Sequence, residues 1–333
     1  MSDAGTPSSP GILAVRLGAM GDIIHTLPAV AALKRGHPGS HVTWVVEPQW
    51  AALLEGNPFV DRVVLLRRGS GAGLLESWRE LRSRRYCFAV DFQGLLKSAV
   101  VAAAARPGRI FGCQRSQLRE RVAALFYSDR VATCGRHVVD RNCELAAATL
   151  PGAPGACPVR EFPLPPGRAE GALPKGDFVL ASPLAGWRSK QWPVEHYRVL
   201  ARRLRRELAI PLVLNGREAA HLPEVEDAVP HISGLAGLIY ATRRALAVLG
   251  VDSGPLHIAA ALEKPGVAIF GPTDPARNGP YGESLRVLRW PGAVTTYRRG
   301  SEIDESMRRV SPDEVFEELR AVKERAQREN RCQ

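Results

Sequence analysis

The sequence predicts an α/β protein built from two Rossmann-like, doubly wound domains. Three observations predict it. From Gly11 onward, short apolar runs alternate with helical stretches, the pattern of parallel strands covered on both faces. A proline- and glycine-rich stretch from Pro151 to Pro174 then interrupts the alternation and reads as a linker. After it the alternation restarts, and 333 residues are enough for two cores of ordinary size. The expected boundaries are a loose tail over residues 1–10, a first domain over 11–165 and a second over 166–310. The terminal segment 311–333 is expected to fold as a helix placed back on the first domain.

In the first domain Gly11–Leu17 reads as a strand, followed by the turn Gly18-Ala19-Met20-Gly21-Asp22 and a helix over Ile23–Lys34. His41–Val46 is the second strand, with a helix beginning at Gln49–Leu54. Arg62–Leu66 and Cys87–Asp91 are further strands, with helices over Glu76–Arg84 and Leu95–Ala105. In the second domain the strands are Phe178–Ser182, Pro211–Asn215, Ala245–Val251 and Val267–Phe270. Helices are expected over Val194–Glu207, Arg217–Ala228, Leu235–Arg243 and Pro255–Leu262. The last helix has an explicit start, with Ser311 as N-cap, Pro312 after it and Glu314 completing a capping box, and it runs to about Arg328. Paired doubly wound domains place a ligand cleft between them, at the carboxyl ends of the strands.

The charge narrows the partner. Lys+Arg number 45 against 34 Asp+Glu, for a net +11, and only six of the 45 are lysines. The guanidinium fork suits phosphates and carboxylates, so an anionic partner is expected: nucleic acid, a membrane surface or a phosphorylated substrate. A nucleic-acid binder would interleave cations with stacking aromatics. Aromatics are only 6% here and show no such interleaving, so no nucleic acid is expected. No stretch approaches the roughly 18–20 apolar residues that span a bilayer, and the first ten residues carry no secretory signal. The six cysteines lack CxxC spacing, which argues against a zinc site and for a reducing compartment.

Several segments carry chemistry. The turn Gly18–Asp22 opens a helix straight after a strand, a setting that favours negative charge at the helix N-terminus. It is neither GxGxxG nor a P-loop, which counts against a dehydrogenase. Asp22 has two readings, as a cap for the helix amides or as a general base. In Gly250–His257 a strand ends and a helix begins, so Asp252, Ser253 and Gly254 form a turn of the kind that holds pyrophosphate, with His257 one turn further in. Gly186–Pro193 offers Ser189 and the cations Arg188 and Lys190 to a phosphorylated ligand. Glu218 follows another strand end, where a carboxylate can accept from ribose hydroxyls. Gly271–Pro275 forms a tight turn after the strand ending at Phe270.

Taken in order, five segments resemble the ADP-heptose lipopolysaccharide heptosyltransferases, bacterial inverting enzymes of the GT-B fold. They are Arg16–Pro28, Asp91–Ser98, Ser189–Pro193, Asp252–His257 and Gly271–Pro275. The likeness runs from about Gly11 to Ala326, and Asp91–Ser98 is most similar to the subgroup that adds the first heptose to Kdo-lipid A. The resemblance implies that Asp22 is the catalytic base. It also implies that Lys190, Ser189, Glu218, Asp252, Ser253, Gly254, His257 and Gly21 bind the donor ADP-heptose, with no metal and no other cofactor. Arg67, Arg68, Lys97, Arg115 and Arg119 lie in segments corresponding to acceptor-side cations. Many members carry hydroxyl residues where this chain has Ala185-Gly186, so those contacts are expected from backbone amides or Ser189. A cytoplasmic monomer in peripheral contact with the anionic inner face of the inner membrane is expected. The first domain carries more of the excess charge: residues 1–166 hold 20 Lys+Arg and 13 Asp+Glu, against 25 and 21 in the remainder.

Overall fold

The computed structural model describes residues 10–150, 160–296 and 298–331. The tail expected over residues 1–10 lies outside them except for Pro10, as does 151–159 of the expected linker. The chain separates into two units, Met1–Pro163 and Leu164–Gln333.

The first unit runs β1 (Gly11–Val15), α1 (Met20–Ile24), α2 (Leu27–Gly36), β2 (His41–Val46), β3 (Arg62–Leu65), α3 (Gly71–Arg82), β4 (Phe88–Asp91) and α4 (Leu96–Ala104). It continues with β5 (Arg109–Cys113), β6 (Asp129–Val131) and α5 (Val138–Ala147). Its six strands are all parallel, in the order β3-β2-β1-β4-β5-β6. The central strands are apolar throughout because both faces are covered: every residue of β1 is buried, and Val15 pairs with Val45 on one side and Asp91 on the other.

The second unit runs β7 (Val179–Ser182), α6 (Val194–Leu208), β8 (Leu212–Gly216), β9 (Ala228–Ile232), α7 (Leu235–Arg244) and β10 (Ala247–Val251). After these come α8 (Gly254–Ala261), β11 (Gly266–Phe270), α9 (Pro275–Asn278), β12 (Leu285–Arg289), α10 (Glu305–Arg308) and α11 (Pro312–Arg331). Its parallel sheet is ordered β12-β11-β10-β7-β8-β9. In each sheet the first strand is central and the order reverses beside it, between β1 and β4 and between β7 and β10. These are the switch points where open α/β sheets bind ligands.

Three expected helices are corrected. Ile23–Lys34 is two helices, because the Pro28 ring would clash with the carbonyl of Ile24, where α1 stops. Gln49–Leu54 is part of a 3₁₀ segment over Pro48–Leu54. Arg217–Ala228 contains Pro223 and forms only a single 3₁₀ turn at Ala219–His221 before β9.

The terminal helix is a fourth correction. Its capping box forms as expected: Glu314 N–H donates to Ser311 Oγ (3.2 Å) and Ser311 N–H to Glu314 Oε2 (2.8 Å). It packs, however, on α6, β10 and β11 of the second unit. Val315, Phe316, Leu319 and Val322 share one stripe and close the core that also holds Val179, Leu212 and Leu249. Arg203 of α6 pins the helix start through Asp313 (2.6 Å).

Candidate functional site

In the first unit the turn after β1 is clamped from both neighbouring strands. Leu17 N–H donates to Gln93 Oε1 (2.8 Å), and Leu17 O accepts from Glu47 N–H (3.0 Å). Gly18 is required here, since a Cβ would lie 2.8 Å from Trp50 Nε1. The Gly18–Ala19 peptide bond is cis.

Asp22 follows in α1. Arg16 Nη2 meets its Oδ1 at 2.7 Å, and Ala19 N–H donates to its Oδ2 at 3.3 Å. The Arg16 side chain is 8% exposed and also donates to Phe92 O, whereas the Asp22 carboxylate is 42% exposed. A buried guanidinium thus aims a carboxylate that solvent, and a ligand, can reach. Asp22 accepts from a helix-start amide and remains open to solvent, a geometry that excludes neither sequence reading. Gly21 is in α1 as well, its carbonyl accepting from His25 N–H (2.9 Å).

Asp91 supports this arrangement from the end of β4. It is buried and accepts four hydrogen bonds: Gln93 N–H (2.9 Å), Gly94 N–H (3.2 Å), Ser98 Oγ (2.9 Å) and Tyr127 Oη (2.7 Å). Burial pushes its carboxyl up, against the pull of those donors; burial and the Asp91 charge push the Tyr127 phenol up as well. An acid raised in the folded state contributes stability at low pH that is lost as pH climbs from the unfolded value to the folded one. The Asp91→Asn variant should therefore fold with a flatter pH dependence of stability. Asp91→Ala strands four donors and should lose about 3 kcal/mol or more, read by denaturant unfolding.

The structure gives different surroundings to the five cations expected on the acceptor side. Arg68 and Lys97 converge on one carboxylate, Glu47, Arg68 by a hydrogen bond and Lys97 Nζ at 3.6 Å. Arg67 is turned toward α3 instead, 3.5 Å from Glu76 and 4.0 Å from Glu80. Arg115 and Arg119 are exposed, Arg115 opening the short 3₁₀ turn Arg115–Gln117 and Arg119 just beyond it. Glu47 was missed in the sequence, although it directly follows β2 at a strand's carboxyl end, the same position that singled out the other site residues.

The second unit gathers its residues at the β7/β10 switch point. Lys190 lies in the 3₁₀ turn Arg188–Lys190 after β7, and its Nζ is 2.9 Å from Asp252 Oδ2, one residue past β10. Thr273, after β11, donates from Oγ1 to the same oxygen (2.8 Å). Both members of the ion pair are largely buried. The ammonium also sits 4.7 Å from the centre of the Trp187 ring. Ser253 is the N-cap of α8 and Gly254 its first residue, with His257 buried in the next turn. The buried hydroxyls of Ser189 and Ser253 have no hydrogen-bond partner among the described residues, and such groups ordinarily have one. Glu218 stands past β8, exposed and 3.3 Å from His221 Nδ1. Charged and polar side chains thus stand beside the N-terminus of α8, where the helix dipole favours negative charge.

Residues 74–294 match glycosyltransferase family 9 (heptosyltransferase). Lipopolysaccharide heptosyltransferase 1 of Pseudomonas aeruginosa is 32% identical over 309 residues, covering 82% of this chain and 82% of that protein. Lipopolysaccharide heptosyltransferase 1 of Escherichia coli K12 is 31% identical over 305 residues, covering 84% and 93%. Among solved structures, the E. coli heptosyltransferase WaaC with ADP is similar with a TM-score of 0.76 and 25% identity, over 94% of this chain and 99% of that one. The fold neighbours are heptosyltransferases of the GT-B fold, in agreement with the two doubly wound units described above.

Proposed function

The chain belongs to glycosyltransferase family 9, the heptosyltransferases, and we propose that it moves L-glycero-D-manno-heptose from ADP-heptose to a Kdo residue of Kdo-lipid A. The observation that carries this reading is the Lys190–Asp252–Thr273 cluster at the start of α8, a setting suited to a nucleotide diphosphate. The relatives named heptosyltransferase 1 support the acceptor.

In the proposed reaction Asp22 takes the proton of the acceptor hydroxyl as that oxygen attacks the anomeric carbon of heptose. The bond from that carbon to the phosphate oxygen breaks, and ADP leaves with the electron pair. One base and no carboxylate nucleophile give inversion. The charge that develops on ADP is met by Lys190, by the Ser253 and Gly254 amides and by His257, with Ser189 donating its hydroxyl. These donors supply the positive field without a metal or other cofactor. Glu218 accepts from the ribose hydroxyls, and Gly21, next to the base in α1, contacts the donor. Arg67, Arg68, Lys97, Arg115 and Arg119 receive the carboxylates and phosphates of the acceptor.

Among the described residues no helix is long and apolar enough to cross a membrane. We place the protein as a monomer in the cytoplasm, reaching its acceptor by peripheral contact with the anionic inner-membrane surface.

Incubation with ADP-heptose and Kdo-lipid A should yield a product heavier by one heptose, seen by mass spectrometry. Product formed only from an already heptosylated acceptor would replace this acceptor with a later one in the core.

A further inference from the structure

The segment after β12 has no part in the reaction as proposed, yet it is tied to both turns that hold the Lys190 cluster. At its start, Thr296 N–H donates to Pro272 O (2.7 Å), beside Thr273. Arg289 braces the same stretch, donating from Nε to Gly271 O (3.0 Å) and from Nη2 to Thr295 Oγ1 (2.9 Å). At its end, Asp304 N–H donates to Ser189 O (3.3 Å). Between the two ties, Gly300 passes so close that a Cβ there would lie 3.2 Å from Ser189 Cβ.

This path carries Arg299 to the donor turn. Its guanidinium lies 5.5 Å from the centre of the Trp187 ring, the ring that Lys190 approaches at 4.7 Å. Lys190 is neutralised by Asp252, while Arg299 makes no ion pair among the described residues. The group of Lys190, Arg299 and Asp252 is therefore left with one positive charge. The adjoining Ser189 and Ser253 hydroxyls are buried without partners, and Ala185-Gly186 bring no side-chain donor. Surplus charge and orphaned hydroxyls at one place call for an anion with several acceptor oxygens.

We propose that Arg299, carried by the strap between β12 and α10 and steadied on Trp187, is a second cationic ligand of the donor's diphosphate. The assignment rests on the donor reading of the Lys190 cluster. Arg299 is exposed on the Trp187 ring, a contact weak enough to give way to a bidentate phosphate contact.

Calorimetric titration with ADP tests it. Arg299→Ala should weaken ADP binding about tenfold, and Arg299→Lys should recover part of the loss. Arg202→Ala, which removes an exposed cation on α6, controls for net charge and should bind as wild type. In steady-state transfer the donor KM should rise in Arg299→Ala with the acceptor KM unchanged. ADP affinity within twofold of wild type in Arg299→Ala, or equal weakening in Arg202→Ala, overturns the assignment. Wild-type protein that does not bind ADP overturns the donor reading itself, and this assignment with it.

Discussion

Replacing Asp22 with asparagine is expected to lower kcat for heptosyl transfer by about a thousandfold or more while ADP binds as before. General-base assistance contributes on the order of 10²–10⁴, and an amide cannot take the acceptor's proton. The substitution is otherwise mild. The asparagine oxygen still accepts from Arg16, whose guanidinium lies 2.7 Å from the carboxylate it replaces, and only the long Ala19 N–H contact (3.3 Å) is given up. The checks are single-turnover transfer, ADP titration and thermal melting on the same preparation. A loss of ADP binding as large as the loss of rate, or a collapse in melting temperature, would make Asp22 a structural cap and not the base.

Lys190→Ala is the second large effect, and it acts in two ways. In the proposed reaction the bound donor loses the ammonium assigned to its phosphates, which should reduce kcat/KM by about 10²–10³. The free protein keeps a mostly buried Asp252 with only the Thr273 hydroxyl against it. Removing one partner of a buried pair typically costs about 3 kcal/mol or more, so the melting temperature should fall too. ADP restores little of it, because its own anchor is gone. A lower melting temperature with unchanged transfer would reduce Lys190 to a structural partner of Asp252.

What could be read from the sequence was what short stretches of chain decide locally. β1, β2, β4, β7, β10 and β11 announce themselves as apolar runs because both their faces are covered. The outlying strands do not. β6 is three residues long, β9 carries Pro230, and β12 alternates apolar residues with arginines, so each looks like loop until a neighbour pairs with it. The same division holds at the site. Asp22, Lys190 and Asp252 sit in turns whose glycines, serines and helix starts are visible locally. Glu47 and Arg299 gain their roles from partners far along the chain, Lys97 for one and Trp187 for the other. Position after β2 alone would have flagged Glu47, whereas Arg299 required knowing where the strap is tied.

The place of α11 sets the order in which the halves of the chain mature during synthesis. All six strands of the first sheet are present once Val131 has been made, so that half can consolidate while the ribosome is still reading the second. The second half has no such freedom. Phe316, Leu319 and Val322 are part of its interior, and that interior stays open to water until α11 has been made. A stop between Ser311 and Phe316 would delete none of the proposed contacts to heptose, phosphate or lipid. It would still silence the enzyme, by leaving the second half without the last wall of its core.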